Sequence, residues 1–148
     1  MISYKWQQRF LKIASEISNW SKDPNTKVGC IAVKPHGRNI LSTGYNGFPP
    51  NIEDTEERLT DRSLKYMYTV HAEKNMIYNA TANGVSLLGA HVYVYNIGVC
   101  AECAKALISV GVACVVLSKD RDRPQKWEDD FKISKEMFLE AGVIVMEI

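Results

Sequence analysis

Three observations predict an α/β domain with helices on both faces of a central, mixed five-stranded sheet. Short apolar runs of strand length alternate with amphipathic stretches of helical period, the order that builds layered α/β domains. Helical stretches stand between the last three of those runs, which requires crossover connections and therefore parallel pairing. The chain has 148 residues, enough to bury a proper core as a single domain over residues 1–148.

From about Tyr4 to Trp20, residues Phe10, Leu11, Ile13, Ala14 and Ile17 recur at helical intervals. Val28 to Val33 is a short apolar run, Pro35-His36-Gly37 turns the chain, and Asn39 to Tyr45 reads as a second strand, so the two form a hairpin. A helix starts near His71, with Met76, Ile77 and Ala80 along its inner face, and Gly84 and Gly89 break the chain before a strand from His91 to Tyr95. The helix opening at Cys100 ends at Gly111, and Val112 to Leu117 is the next strand. Trp127 to Ala141 reads as a helix stopped by Gly142, with Val143 to Met146 as the last strand. There is no internal repeat, low-complexity tract or linker.

Between Tyr45 and His71 lies a stretch that a compact domain does not need: Gly47-Phe48-Pro49-Pro50-Asn51, then Glu53, Asp54, Glu56, Glu57, Arg58, Asp61 and Arg62. Connections of this length are functional or disordered. Two readings stay open, a solvated loop with a short acidic helix or a ligand loop beside a site.

Hydrophobic residues make up 46% and charged residues 24% of an ordinary globular composition, with a formal net charge of +1. Such a balance lacks the basic excess that holds a phosphate backbone, so polymeric nucleic acid is not the expected partner. No stretch approaches the roughly 18 apolar residues of a membrane helix, and no basic start with an apolar run marks a leader. The expected place is therefore the cytosol, where thiols stay reduced. Cys30 and Cys114 lie in strand-like runs and are expected to be buried and inert.

The other two cysteines carry chemistry. His71-Ala-Glu73 and Cys100-Ala-Glu-Cys103 together supply three good zinc ligands and one carboxylate beside them. Catalytic zinc takes three protein ligands and keeps a fourth position open, whereas structural zinc is closed by four. Residues two apart on a helix differ by about 200°, so His71 and Glu73 reach one pocket only at a helix start, with one of them off the metal. Residues three apart put Cys100 and Cys103 on one side of a first helical turn, where the helix dipole favours thiolate. The rivals are a redox pair, which lacks its thioredoxin-like context, and a structural zinc site, which lacks a fourth ligand. His36 and His91 have no ligand spacing to the other three.

The pattern His-x-Glu followed by Pro-Cys-x-x-Cys is the signature of zinc-dependent nucleobase deaminases, and Val99 stands where it has proline. The flanks narrow the match. Ser21-Lys22-Asp23-Pro24 through Cys30, Gly44-Tyr45-Asn46-Gly47-Phe48-Pro49, the Cys100–Lys105 segment and Ala141-Gly142-Val143 make nearly the whole chain resemble the deoxycytidylate (dCMP) deaminase family. The resemblance implies a three-layer α/β/α cytidine-deaminase-like fold and zinc-dependent hydrolysis of dCMP to dUMP and ammonia in pyrimidine nucleotide supply. It implies His71, Cys100 and Cys103 as zinc ligands and Glu73 as the proton shuttle between water, ring N3 and the leaving amine. Asn46 would bond the sugar, Ala72 would line the substrate site, and Thr26 and Lys27 are candidates for the phosphate.

The family is typically a hexamer activated by dCTP and inhibited by dTTP. Asn51, Glu53 and Asp54 are where such an effector would sit, with Mg²⁺ bridging its triphosphate to carboxylates. Val99 leaves the turn into the Cys100 helix freer than proline would, without removing a ligand. In the stretch Ser118 to Pro124 the family often has an aromatic closing the base pocket. Trp127 could take that role, Lys119, Arg121 and Arg123 could bind phosphate, or the run could be a charged surface loop. The alternatives are a deaminase of another base or nucleoside, a catalytically silent zinc nucleotide-binding domain, and, less favoured, polynucleotide editing.

Overall fold

The computed structural model describes residues 2–148. Helix α1 (Tyr4–Ser18) buries Phe10, Leu11, Ala14 and Ile17 and stops two residues before the expected Trp20. The N–H groups of Asn19 and Trp20 turn back to Glu16 and Ile17, which tightens the last turn and ends the helix. Strands β1 (Gly29–Lys34) and β2 (Asn39–Tyr45) form the expected hairpin, with a register shift between Ala32 and Val33. Strand β3 (His91–Tyr95) lies antiparallel beside β1, and β4 (Cys114–Leu117) and β5 (Ile144–Glu147) follow parallel to it. The five-stranded sheet has the order β2-β1-β3-β4-β5, mixed as the pattern predicts.

Strand period divides the core into two layers. Ile31, Val33, Tyr93, Cys114 and Val116 meet α1 on one face. Cys30, Ala32, Val92, Val94, Val115 and Leu117 meet the other three long helices, α4 (Ala72–Ala82), α5 (Ala101–Ser109) and α6 (Glu128–Glu140). Cys30 and Cys114 are buried free thiols, as expected, and they lie on opposite faces of the sheet. Val112 falls outside β4 because its N–H closes back on Leu107, so the first residues of that apolar run complete the crossover from α5. The last helix likewise begins after a 3₁₀ turn at Gln125–Trp127. Among the described residues no helix is long and apolar enough to cross a membrane.

Register brings the site-bearing loops to one end of the sheet. Gly29 opens β1 opposite Tyr45 at the end of β2 and Tyr95 at the end of β3, so the segments before β1 and after β2 and β3 gather there. The long excursion after β2 contains two short helices, α2 (Glu56–Thr60) and α3 (Arg62–Tyr68), where one was expected. Asp61 separates them: its extended backbone ends α2 and its carboxylate caps α3 at the Leu64 N–H, 3.0 Å away. A two-way backbone bridge between Gly47 and Val70 pins both ends of the excursion.

Helix α4 rides directly on β2. A Cβ at Gly44 would lie 2.3 Å from the Met76 nitrogen and 2.4 Å from the Ala72 oxygen, so only glycine admits this approach. Gly44→Ala is expected to cost about 3 kcal/mol in urea unfolding by forcing α4 outward. Gly47→Ala, whose Cβ would meet only the Tyr45 ring at 3.7 Å, should stay within about 0.5 kcal/mol of the parent.

On β5, Glu147 accepts from Arg121 at 2.8 Å, Lys135 at 3.0 Å and Arg123 at 3.4 Å. Arg121 first, then Lys135, hold its carboxyl down at about 2, against 4.5 for a free glutamate. A folded value below the unfolded one stabilises above the unfolded value, and that share is lost as pH falls from about 4.5 towards about 2. Glu147→Gln should lower stability at pH 7 by about 1–2 kcal/mol, discounted for partial exposure. It should also flatten the acid limb of stability against pH.

Candidate active site

Both halves of the metal motif are helix caps. His71 is the extended residue before α4, with φ −65° and ψ 154°, and Cys100 is its counterpart before α5, with φ −73° and ψ 164°. The cap position frees the His71 side chain from the helical rotation, so it shares a cavity with Glu73 in the first turn behind it. The Cys100 sulfur accepts the Cys103 N–H at 3.4 Å, as a serine oxygen would at a helix start. Asp130 of α6 accepts the N–H of Ala101, which has no partner within the helix, at 2.7 Å and so fixes the turn. Val99 is 3% exposed within the core of this layer, so packing steadies the turn that proline would otherwise stiffen.

The His71 Nδ1 lies 3.4 Å from the Cys100 sulfur and 3.5 Å from the Cys103 sulfur. Zinc bond lengths of about 2.3 Å to sulfur and 2.0–2.1 Å to nitrogen, opened at the tetrahedral angle, give a sulfur-to-nitrogen edge of about 3.5 Å. The donor set fits zinc. All three donor atoms lie within 4.8 Å of one another, the one such group found among the described residues. Donation from Cys103, then from His71, holds the Cys100 thiol down at about 4, while Cys103, the donor facing that sulfur, is pushed up. The hydrogen bond with Cys100 raises His71. Burial raises the Glu73 carboxyl, which is 3% exposed, so the group is suited to carry a proton.

His71, Glu73, Cys100 and the buried Ala72 line a cavity of about 550 Å³, within the range of small-molecule sites. The Trp127 ring stands edge-on to His71 with centroids 6.4 Å apart and stacks on Phe131, so an aromatic wall adjoins the metal ligands. Both readings of the excursion after β2 have a counterpart: α2 is a short acidic helix with no buried residue, and Arg62, Lys65 and Tyr66 of α3 form part of the cavity wall.

The other sequence candidates divide. Asn46 lines the cavity, but its Oδ1 accepts the Val28 N–H and its Nδ2 donates to the Thr26 carbonyl, each at 2.8 Å. One N–H and one lone pair remain for a ligand. Thr26 lines the cavity, whereas the Lys27 side chain is exposed outside it, as alternation along an extended approach to β1 requires. Asp54 lines a separate cavity of about 260 Å³ and pairs with Lys22 at 2.6 Å, while Asn51 and Glu53 line neither. Arg121 and Arg123 are drawn to Glu147, and with Lys119 they stand outside the large cavity, so their phosphate role is not supported there.

Lys65 escaped the sequence reading. It is buried and pairs with Asp23 at 3.3 Å. Tyr66 and Lys126 also line the cavity without a sequence signal of their own, and Arg62 stands out only as one charge of the excursion. The available signal was Arg62, Lys65 and Tyr66 at helical spacing, hidden in a stretch judged by its acids.

Residues 4–119 match the family described as the cytidine and deoxycytidylate deaminase zinc-binding region. An uncharacterized deaminase in the luxG 3′ region of Aliivibrio fischeri is 37% identical over 98% of this chain and 94% of its own. The deoxycytidylate deaminase of Homo sapiens is 33% identical over 94% of this chain and 77% of its own. In fold, the chain is similar to the dCMP deaminase of the cyanophage S-TIM5, solved in complex with dCMP and dUMP, with a TM-score of 0.78 and 22% identity over 100% of both chains.

The donor geometry makes zinc content the direct check. Cys100→Ala should weaken zinc binding at least about 100-fold and leave the protein metal-free after dialysis against a chelator. Cys114→Ala, on the opposite face of the sheet, should retain the metal by atomic absorption.

Proposed function

The chain belongs to the cytidine and deoxycytidylate deaminase family, and from that premise we propose that it hydrolyses dCMP to dUMP and ammonia with zinc as cofactor. One observation carries this reading. A buried carboxylate, Glu73, opens into the same cavity as the His71 and Cys100 donors without being one of the donor group. A closed structural site has no use for such a group.

When bound by His71, Cys100 and Cys103, zinc would supply the Lewis acidity that makes hydroxide available from water at neutral pH. Glu73 accepts a proton from the attacking water and passes it to ring N3, which makes C4 more electrophilic. The water oxygen adds to C4, and Glu73 carries the remaining proton to the exocyclic nitrogen, which departs as ammonia. Its raised carboxyl serves both directions, because proton transfer works best near the operating pH. Trp127 and Phe131 wall the base from water on the α6 side.

The same proposal includes a cytosolic enzyme of hexameric assembly, activated by dCTP and inhibited by dTTP with Mg²⁺, on the strength of the family resemblance. The smaller cavity at Asp54 shares Asp23 and Asn46 with the large one, so an effector there would press on residues that shape the substrate site.

Ammonia release from dCMP, cytidine and dCTP, with and without dCTP or dTTP and Mg²⁺, tests the reading. Turnover of dCMP by zinc-loaded protein is expected, and silence towards every cytosine nucleotide would sink it. Glu73→Gln should keep its zinc and lose about 10³-fold or more in kcat, and turnover near the parent value would remove Glu73 from the mechanism.

A further inference from the structure

At the rim of the large cavity, two cations converge on one neutral oxygen. The Tyr66 phenol oxygen accepts from Lys126 Nζ at 2.7 Å and from Arg62 Nε at 3.1 Å. All three side chains line the cavity. They come from different walls, Tyr66 and Arg62 from α3 and Lys126 from the 3₁₀ turn before α6. Lys126 also lies over the Trp127 ring at 5.8 Å, and that ring adjoins His71.

The charges at this rim are not balanced. Lys65, deeper in the same wall, has Asp23 as its counter-ion. Among the described residues, no carboxylate pairs with Arg62 or Lys126. Guanidinium and ammonium donors match phosphate oxygens far better than a phenol, which offers lone pairs but no charge. Their field is strong enough to pull the phenol's own proton affinity down, through Lys126 first and Arg62 second.

We infer that Arg62 and Lys126 are the phosphomonoester clamp of this cavity, and that the Tyr66 phenol oxygen occupies their donors until the phosphate displaces it. The clamp rests on the proposed function in one respect: the phosphate is the 5′-group of the nucleotide whose base reaches Glu73. It replaces Lys27, whose side chain lies outside the cavity, as the cationic contact.

The test uses the zinc-loaded full chain and 2-deoxyribose 5-phosphate, a probe with no base, followed by titration calorimetry. Arg62→Gln and Lys126→Gln should each raise its Kd about 10-fold or more, the worth of a charge-assisted bond. Lys27→Gln should leave it unchanged. Tyr66→Phe, which removes the competing oxygen, should tighten binding about threefold. No binding by the parent protein at millimolar probe, or equal Kd in the two Gln variants and the parent, overturns the clamp. A loss in Tyr66→Phe parallel to Arg62→Gln overturns it too, because the trio would then be a strut between walls.

Kinetics separate this inference from the deaminase reading. With dCMP, kcat/KM should fall about 10-fold or more in Arg62→Gln and Lys126→Gln, and deoxycytidine, which lacks the phosphate, should show no such fall. Unchanged dCMP kinetics would overturn the clamp and leave the deaminase reading intact. Probe binding that depends on both cations, in a protein that releases no ammonia from dCMP, would leave the clamp and remove the deaminase.

Discussion

Three donors on two helices can share one zinc ion only if they stand about 3.5–3.8 Å apart, and that requirement reaches back through the fold. His71 reaches the site because α4 lies against β2 at Gly44, where no side chain intervenes. Cys100 reaches it because α5 follows β3, whose end pairs with the start of β1. Helix α6 and the 3₁₀ turn before it then close the arrangement from outside, with Asp130 on the first turn of α5 and Trp127 beside His71. The sheet, both helix starts and the last helix are thus fitted to one point.

A second set of contacts holds the wall facing the metal ligands. The Ser21 hydroxyl donates to the Asn46 carbonyl at 2.7 Å. The Asp23 carboxylate accepts the N–H groups of Asn25 and Thr26 at 2.8 Å and 3.0 Å and pairs with Lys65 on α3. Asn46 in turn clamps the backbone at Thr26 and Val28. The Ser-Lys-Asp-Pro segment and the Gly-Tyr-Asn-Gly segment are therefore two halves of one scaffold. Much of the polar capacity of Asp23 and Asn46 is spent on backbone, and what is left over faces the cavity.

The candidate donor group was legible in the sequence because its parts are local, at the starts of two helices. Parallel pairing of the last three strands followed from where helices intervene, and the burial of Cys30 and Cys114 from the apolar runs around them. Element ends were less legible, since Asn19, Val112 and Trp127 are governed by backbone closures that leave little trace in residue type. The cationic rim was hidden for another reason. Arg62 and Lys126 are far apart in the chain and meet only because α3 and the turn before α6 share a cavity. The charged run after β4 is mostly exposed, in keeping with its surface-loop reading. Arg121 and Arg123 resemble anion binders, yet their partner is Glu147 on the neighbouring strand.

The bridge between Gly47 and Val70 has a consequence for how such a protein can diverge. It ties both ends of the 48–69 excursion to the scaffold, just ahead of His71. Lengthening a flexible loop between fixed ends adds little closure entropy, only about 0.6 kcal/mol per doubling. The excursion can therefore be rewritten, extended or exchanged as a cassette while His71, Glu73 and the two cysteines keep their places. One side of the cavity wall, with Arg62, Lys65 and Tyr66, thus belongs to a segment whose length is free to vary, while the donor group belongs to one that is not.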